Sequence, residues 1–201
     1  GKLHYDIFRY AMIGYYNMKC EGLIGHEGLV TIIDFSQSSN NKRLFVIDIE
    51  KHRLDYNTLV AHGINTGNEM AERFSNRGGS GMSSYGFYTT AETYDGRHEY
   101  SLKIDGLEPS NSNVRSRGVV FHGAEYVSEE YTHHSGRIGR SNGCPAIPEE
   151  INRELVDHIK NGSCVFMFTN NEKYLVTSRF LDFEKALQQY YGEHMTGAEV
   201  Q

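Results

Sequence analysis

Apolar positions in the first twenty residues recur at helical spacing. Ile7, Phe8, Ala11, Met12, Tyr15 and Tyr16 share a face and predict a helix over residues 3–19. Asp6 and Lys19 stand at the ends a helix dipole favours, and Gly22 and Gly25 stop the pattern. The period then changes. Leu29–Phe35 is apolar and β-branched, Leu44–Ile49 alternates like a half-buried strand, and Asn40-Asn41 marks a turn between them. Together they predict a hairpin, with a third strand over Leu54–His62.

Residues 63–84 lose all periodicity, and Gly, Asn, Ser, Arg and Glu dominate around Gly78-Gly79-Ser80-Gly81. So long an irregular stretch inside a domain is often functional. β character returns over Tyr85–Tyr94, turns at Asp95-Gly96 and resumes over Tyr100–Ile104. A polar loop over 105–117 leads to a short apolar strand, Gly118–Phe121, that delivers His122. Residues 123–143 carry no regular pattern and are expected to cover a site as a loop. Beyond Pro145 and Pro148, Ile151, Leu155 and Ile159 predict a helix ended by Gly162. Val165–Phe168 and Tyr174–Thr177 read as a closing hairpin around Asn170-Asn171, and a last helix over 184–191 leads into a polar tail. The expected fold class is mainly β with an α+β periphery. Its core is one domain over 29–181, flanked by a helical segment (1–28) and a C-terminal helix and tail (182–201).

Composition narrows the function. The net charge of −6, with no basic stripe, argues against nucleic acid as a partner. No apolar run reaches membrane-spanning length, so no membrane span is expected. Gly1-Lys2-Leu3-His4-Tyr5 lacks the apolar region of a signal peptide, and a start at Gly rather than Met reads as a processed or trimmed chain. Three cysteines, Cys20, Cys144 and Cys164, do not make a disulfide framework, and whether Cys20 and Cys164 pair stays open.

Cys144 is the candidate for chemistry. It closes Gly139-Arg140-Ser141-Asn142-Gly143-Cys144-Pro145, downstream of His122-Gly123-Ala124. A thiol attacks only as thiolate, and a nearby imidazole is the usual means of removing its proton. Gly143 leaves room for a carbonyl group where backbone N–H groups can face a developing oxyanion. The plainer reading of Cys144 is a small buried hydrophobe. Arg137 and Arg140 flank the thiol, where a guanidinium could hold a carboxylate through two parallel bonds, or be a solvated loop charge. His62, just ahead of the glycine-rich stretch, could line a cleft or cap a strand. Tyr85, in Tyr85-Gly86-Phe87-Tyr88, is a candidate substrate contact in a segment that otherwise reads as core and turn. No metal site is expected: H-E-x-x-H and paired C-x-x-C are absent, and adjacent His133-His134 would point apart on an extended chain. The glycine-rich stretch is not a phosphate loop, since no G-K-[ST] follows it.

Val119-Val120-Phe121-His122-Gly123-Ala124 with Gly139-Arg140-Ser141-Asn142-Gly143-Cys144-Pro145-Ala146 resembles the murein L,D-transpeptidase (YkuD-type) catalytic domain family. Phe45-Val46-Ile47-Asp48, Ala61-His62-Gly63-x-x-Thr66-Gly67, Phe74-Ser75-Asn76 and Ser83-Ser84-x-Gly86-Phe87-Tyr88 extend the likeness over residues 5–170. The resemblance implies an L,D-transpeptidase-like β-sandwich or barrel with a helix after the cysteine. It implies Cys144 as nucleophile, His122 as base oriented by the carbonyl of Gly123, and the Cys144 N–H, with Gly143, at the oxyanion. No cofactor is implied. Partners would be peptidoglycan tetrapeptide stems, donor and acceptor, joined by 3–3 crosslinks through a thioester, in the periplasm or cell envelope. Water as acceptor would make an L,D-carboxypeptidase, and a silent peptidoglycan-binding module is the non-enzymatic alternative. His122 and Cys144 are 22 residues apart, farther than the family's common pattern. Asn142 replaces its usual second histidine, and Pro145-Ala146 stand where many relatives have an apolar residue and an arginine. Arg140 is the replacement candidate for that arginine, with Ser141, Asn142, His62 and Tyr85 as further substrate contacts.

Overall fold

The computed structural model describes residues 2–195. Its centre is one eight-stranded mixed sheet: β1 (Leu29–Asp34), β2 (Leu44–Asp48), β3 (Arg53–Thr58), β4 (Gly86–Gly96), β5 (Glu99–Gly106), β6 (Val120–Gly123), β7 (Ala146–Ile147) and β8 (Cys164–Phe168). The spatial order is β3-β2-β1-β8-β4-β5-β6-β7. β1 and β8 run parallel, as do β6 and β7; the remaining neighbours are antiparallel. The chain beyond β3 brings the two edges together. Ala61 N–H donates to the Ala146 carbonyl at 2.8 Å, Ser141 N–H to that of His62 at 3.0 Å, and Ile64 N–H to that of Ser141 at 2.7 Å. These bonds nearly close the sheet into a barrel, and the seam runs beside Cys144.

Both faces of the central strands are covered, which is why every residue of β1 is buried. On one side Ile33, Val46, Leu102 and Phe121 pack with Leu155 and Ile159 of α3 (Glu149–Ile159). On the other, Val30, Ile32 and Phe166 meet Ile7, Ala11 and Met18 of α1 (Tyr5–Cys20) and Phe180 of a 3-10 turn at Arg179–Leu181. α5 (Phe183–Met195) lies against α1. No helix among the described residues is long and apolar enough to cross a membrane.

The predicted first hairpin forms with Leu29 opposite Asp48 and Ile33 opposite Leu44. Four expectations need correction. β3 ends at Thr58, because residues 59–62 turn away from β2 to make the closing bonds. Residues 174–177 are not a strand but part of α4 (Glu172–Thr177), whose first turn is capped by Asn171: its side-chain oxygen accepts from Tyr174 N–H at 3.0 Å. β8 pairs instead with β1 and β4. Residues 123–143 contain α2 (Glu129–Ser135), capped by Ser128 and closed by Gly136 at φ 76°. None of the α2 residues is buried, so the segment has no apolar face to betray it. The last helix runs to Met195, and the rest of the predicted tail lies outside the described residues.

Candidate active site

Two segments of the seam hold the candidate residues. β6 alternates so that Phe121 enters the core and His122 faces the other way. His122 is nonetheless 2% exposed. β7 pairs parallel with β6, with Ala146 opposite His122, so Cys144 sits two residues ahead of the histidine's partner. The His122 Nδ1 lies 2.8 Å from the Gly123 carbonyl. A carbonyl only accepts, so Nδ1 carries the hydrogen and Nε2 keeps its lone pair. Gly123 is itself required by α3: a Cβ there would come within 3.0 Å of Asn152 Cβ and 3.1 Å of Glu149 Cα.

The cysteine loop is fixed by its own serine. Ser141 Oγ donates to the Cys144 carbonyl at 2.7 Å and accepts from Gly143 N–H at 3.0 Å. Gly143 adopts φ 124°, and a Cβ would stand 2.7 Å from the Met82 carbonyl and 3.3 Å from Arg117 Nη2. Only glycine fits that close approach. Asn142 is exposed. Cys144 is partly exposed, with Sγ 3.7 Å from the Gly118 carbonyl. Burial pushes its thiol pKa up, against the downward pull of the Val120 N–H and the Arg117 charge. Burial pushes His122 down, opposed by its bond to Gly123 and helped by the neighbouring His98. The resting pair at neutral pH is therefore an uncharged thiol and an uncharged imidazole.

Arg117 escaped the sequence reading, although it lies just before the strand that delivers His122. Its Nη1 donates to the Ser75 carbonyl at 2.7 Å and Ser84 Oγ at 2.6 Å, and its Nη2 to the Met82 carbonyl at 2.5 Å. One guanidinium thus ties the irregular 75–84 stretch beside the cysteine loop. Ser83 helps, donating through Oγ to the Gly143 carbonyl at 3.2 Å. His98 was missed as well: its ring stacks on His122 at 4.3 Å between centroids and 21° between planes.

The remaining candidates sit farther out or are already engaged. His62 is fully buried, with Nδ1 accepting from Arg43 Nη2 at 2.8 Å and Nε2 facing the Gly67 carbonyl at 3.3 Å. Burial, then the Arg43 charge, hold its pKa down to about 4. Arg140 Nη1 donates to the carbonyls of Ile64 and Gly67 at 3.1 and 2.9 Å. The Tyr85 ring packs edge-on against Phe74 and Tyr174, at 5.5 and 5.1 Å, and not with the cysteine loop. His133 and His134 lie on α2 rather than on extended chain. All three cysteines are free; Cys164 is buried and Cys20 exposed, so Cys20 is a second thiol open to reagents. A groove of about 980 Å³ between α1 and β2–β3 includes none of these residues.

The model of the L,D-transpeptidase catalytic domain family matches residues 1–168, and the chain belongs to that family. Similar solved structures include an L,D-transpeptidase from Mycobacterium smegmatis, at 10% identity and TM-score 0.45 over 71% of this chain and 59% of that one. An Enterococcus faecium L,D-transpeptidase matches at 15% and 0.45, over 71% and 50%. The helical cell shape determining protein Pgp2 from Campylobacter jejuni matches at 13% and 0.47, over 95% and 66%. The chain thus spans half to three-fifths of the two transpeptidases. No curated protein matches the sequence.

Proposed function

We propose that this domain is a cysteine acyl-transferase that forms 3–3 crosslinks between peptidoglycan tetrapeptide stems, working in the periplasm or cell envelope. The observation that carries the reading is the His122 tautomer. With Nδ1–H directed at the Gly123 carbonyl, the lone pair of Nε2 is ready to take a proton from Cys144. Because the resting pair is uncharged, deprotonation accompanies attack rather than preceding it.

The sulfur of Cys144 bonds to the carbonyl carbon of the stem's third residue while its proton passes to His122. The tetrahedral oxyanion is held by the Cys144 N–H, since Gly143 N–H is already engaged by Ser141. The carbon–nitrogen bond to the terminal D-alanine then breaks, and the imidazolium protonates the departing amine. An amine of a second stem attacks the thioester, passes its proton to His122, and releases the sulfur, which recovers the proton. Arg140 at the rim is the proposed partner of a stem carboxylate.

The test is incubation with a disaccharide-tetrapeptide, followed by intact mass. The expected products are an acyl adduct mapped to Cys144 and a crosslinked dimer, both lost in Cys144→Ala. Arg140→Ala is expected to raise the stem concentration needed while kcat stays close to that of the parent protein. Tripeptide without dimer at high acceptor would reassign the domain as a carboxypeptidase. Stem binding with no adduct would reduce it to a binding module.

A further inference from the structure

The family's usual second histidine is absent from the cysteine loop, where Asn142 stands. A second imidazole nevertheless reaches the site from another element. β4 and β5 form a hairpin whose tip pairs Gly96 with Glu99, with Arg97 and His98 at the turn and Glu99 at φ 55°. Ser101, opposite His122 in the β5–β6 register, donates through Oγ to the Glu99 carbonyl at 3.1 Å and draws the turn back over β6. His98 is exposed on its outer side, yet its ring lies nearly parallel to that of His122, 4.3 Å away.

We propose that His98 is a positioning residue for His122: from the β4–β5 turn its ring clamps the face of the catalytic imidazole and keeps water off it. The Gly123 carbonyl fixes the His122 ring at one nitrogen and leaves it free to tilt about that bond. A plate on the ring face removes the tilt, so Nε2 keeps a single direction. The same contact makes a second positive charge costly, because a protonated His122 would face both a covered surface and its neighbour's imidazole. The other ionisable groups on the surrounding elements are Asp95, Arg97 and Glu99 at the turn, Tyr100, Lys103 and Asp105 on β5, Glu149, Glu150, Arg153, Glu154, Asp157 and His158 on α3, Arg117 before β6, and Cys144 beyond it. Arg153 lies over Tyr100, 4.0 Å from its ring centroid. Among the described residues only His98 lays a ring on His122.

The inference rests on the proposed role of His122, so its test has one readout that needs no turnover. The protein with labelled histidine rings is titrated by NMR, with the His122 signal assigned through His122→Gln. His98→Ala is expected to move the His122 midpoint to higher pH, and His98→Phe, which keeps a flat ring, to retain most of the depression. In acyl-adduct formation His98→Ala is expected to slow the plateau rate by roughly three- to tenfold and raise the acid limb. His98→Phe should restore the plateau, and the melting temperature should stay within about 2 °C because the residue is exposed. An unmoved midpoint in His98→Ala, or a phenylalanine variant as slow as the alanine one, overturns the proposal. A shifted midpoint in a protein that forms no adduct would leave the ring coupling standing and overturn the catalytic reading instead.

Discussion

At the scale of single residues, the site is a balance of burial against a few charges. Cys144 is drawn up by its surroundings, and Arg117 is the one side-chain cation that draws it down. Arg117→Met removes that charge, leaves the Met82 carbonyl without its side-chain donor and leaves the Ser75 carbonyl with only that of Ser84 Oγ. Alkylation of Cys144 is expected to slow several-fold at neutral pH, with its profile displaced to higher pH. Arg117→Lys keeps the charge but cannot span the same acceptors. It should hold the alkylation profile while melting earlier. The rate must be followed on the Cys144 peptide, because exposed Cys20 reacts too. A methionine variant with the parent profile would show that burial alone sets the thiol. The proposed pair stands out in the chain because His122-Gly123 and Gly143-Cys144 are local motifs. Arg117 and His98 do not, since their importance arises from a guanidinium reaching 33 residues back to Ser84 and a ring brought in by a separate hairpin.

At the scale of elements, legibility follows burial. α1, α3 and the first hairpin each turn apolar residues toward the core, and the period of those residues reveals them. α2 and α4 rest on local hydrogen bonds instead: the Ser128 and Asn171 caps define their starts, and α2 buries nothing. Val165–Phe168 followed by Asn170-Asn171 looks like a hairpin because asparagine serves turns and caps equally. In this chain Asn171 accepts from Tyr174 N–H, and Tyr174 in turn donates its hydroxyl to buried Glu108 at 2.8 Å. Asn171→Ala is expected to cost about 1 kcal/mol, lowering the melting temperature by about 2–4 °C. Asn171→Asp retains the acceptor and should recover most of that loss. An alanine variant that melts with the parent would mean that tertiary contacts, not the cap, hold α4.

At the scale of the whole molecule, the turn from β3 into the barrel seam hangs on one buried cation and one buried imidazole. Arg43 is fully buried and donates to the Val60 carbonyl at 3.1 Å, the Gln37 carbonyl at 2.9 Å and His62 Nδ1 at 2.8 Å. A guanidinium cannot accept, so His62 must offer a lone pair there and stays neutral down to a pKa of about 4. In the unfolded chain the same ring takes its proton near pH 6.5. Between these values the unfolded state binds a proton that the folded state refuses, so the contribution of His62 is complete above pH 6.5. It declines as the pH falls toward 4, by roughly 3 kcal/mol in total. His122, also held down, works in the same direction. His62→Gln can present an acceptor to Arg43 but cannot titrate. Urea midpoints at pH 7.5 and 4.5 should therefore lie closer together in His62→Gln than in the parent, even though the variant starts lower. An unchanged gap between the two midpoints would move the acid sensitivity away from the seam.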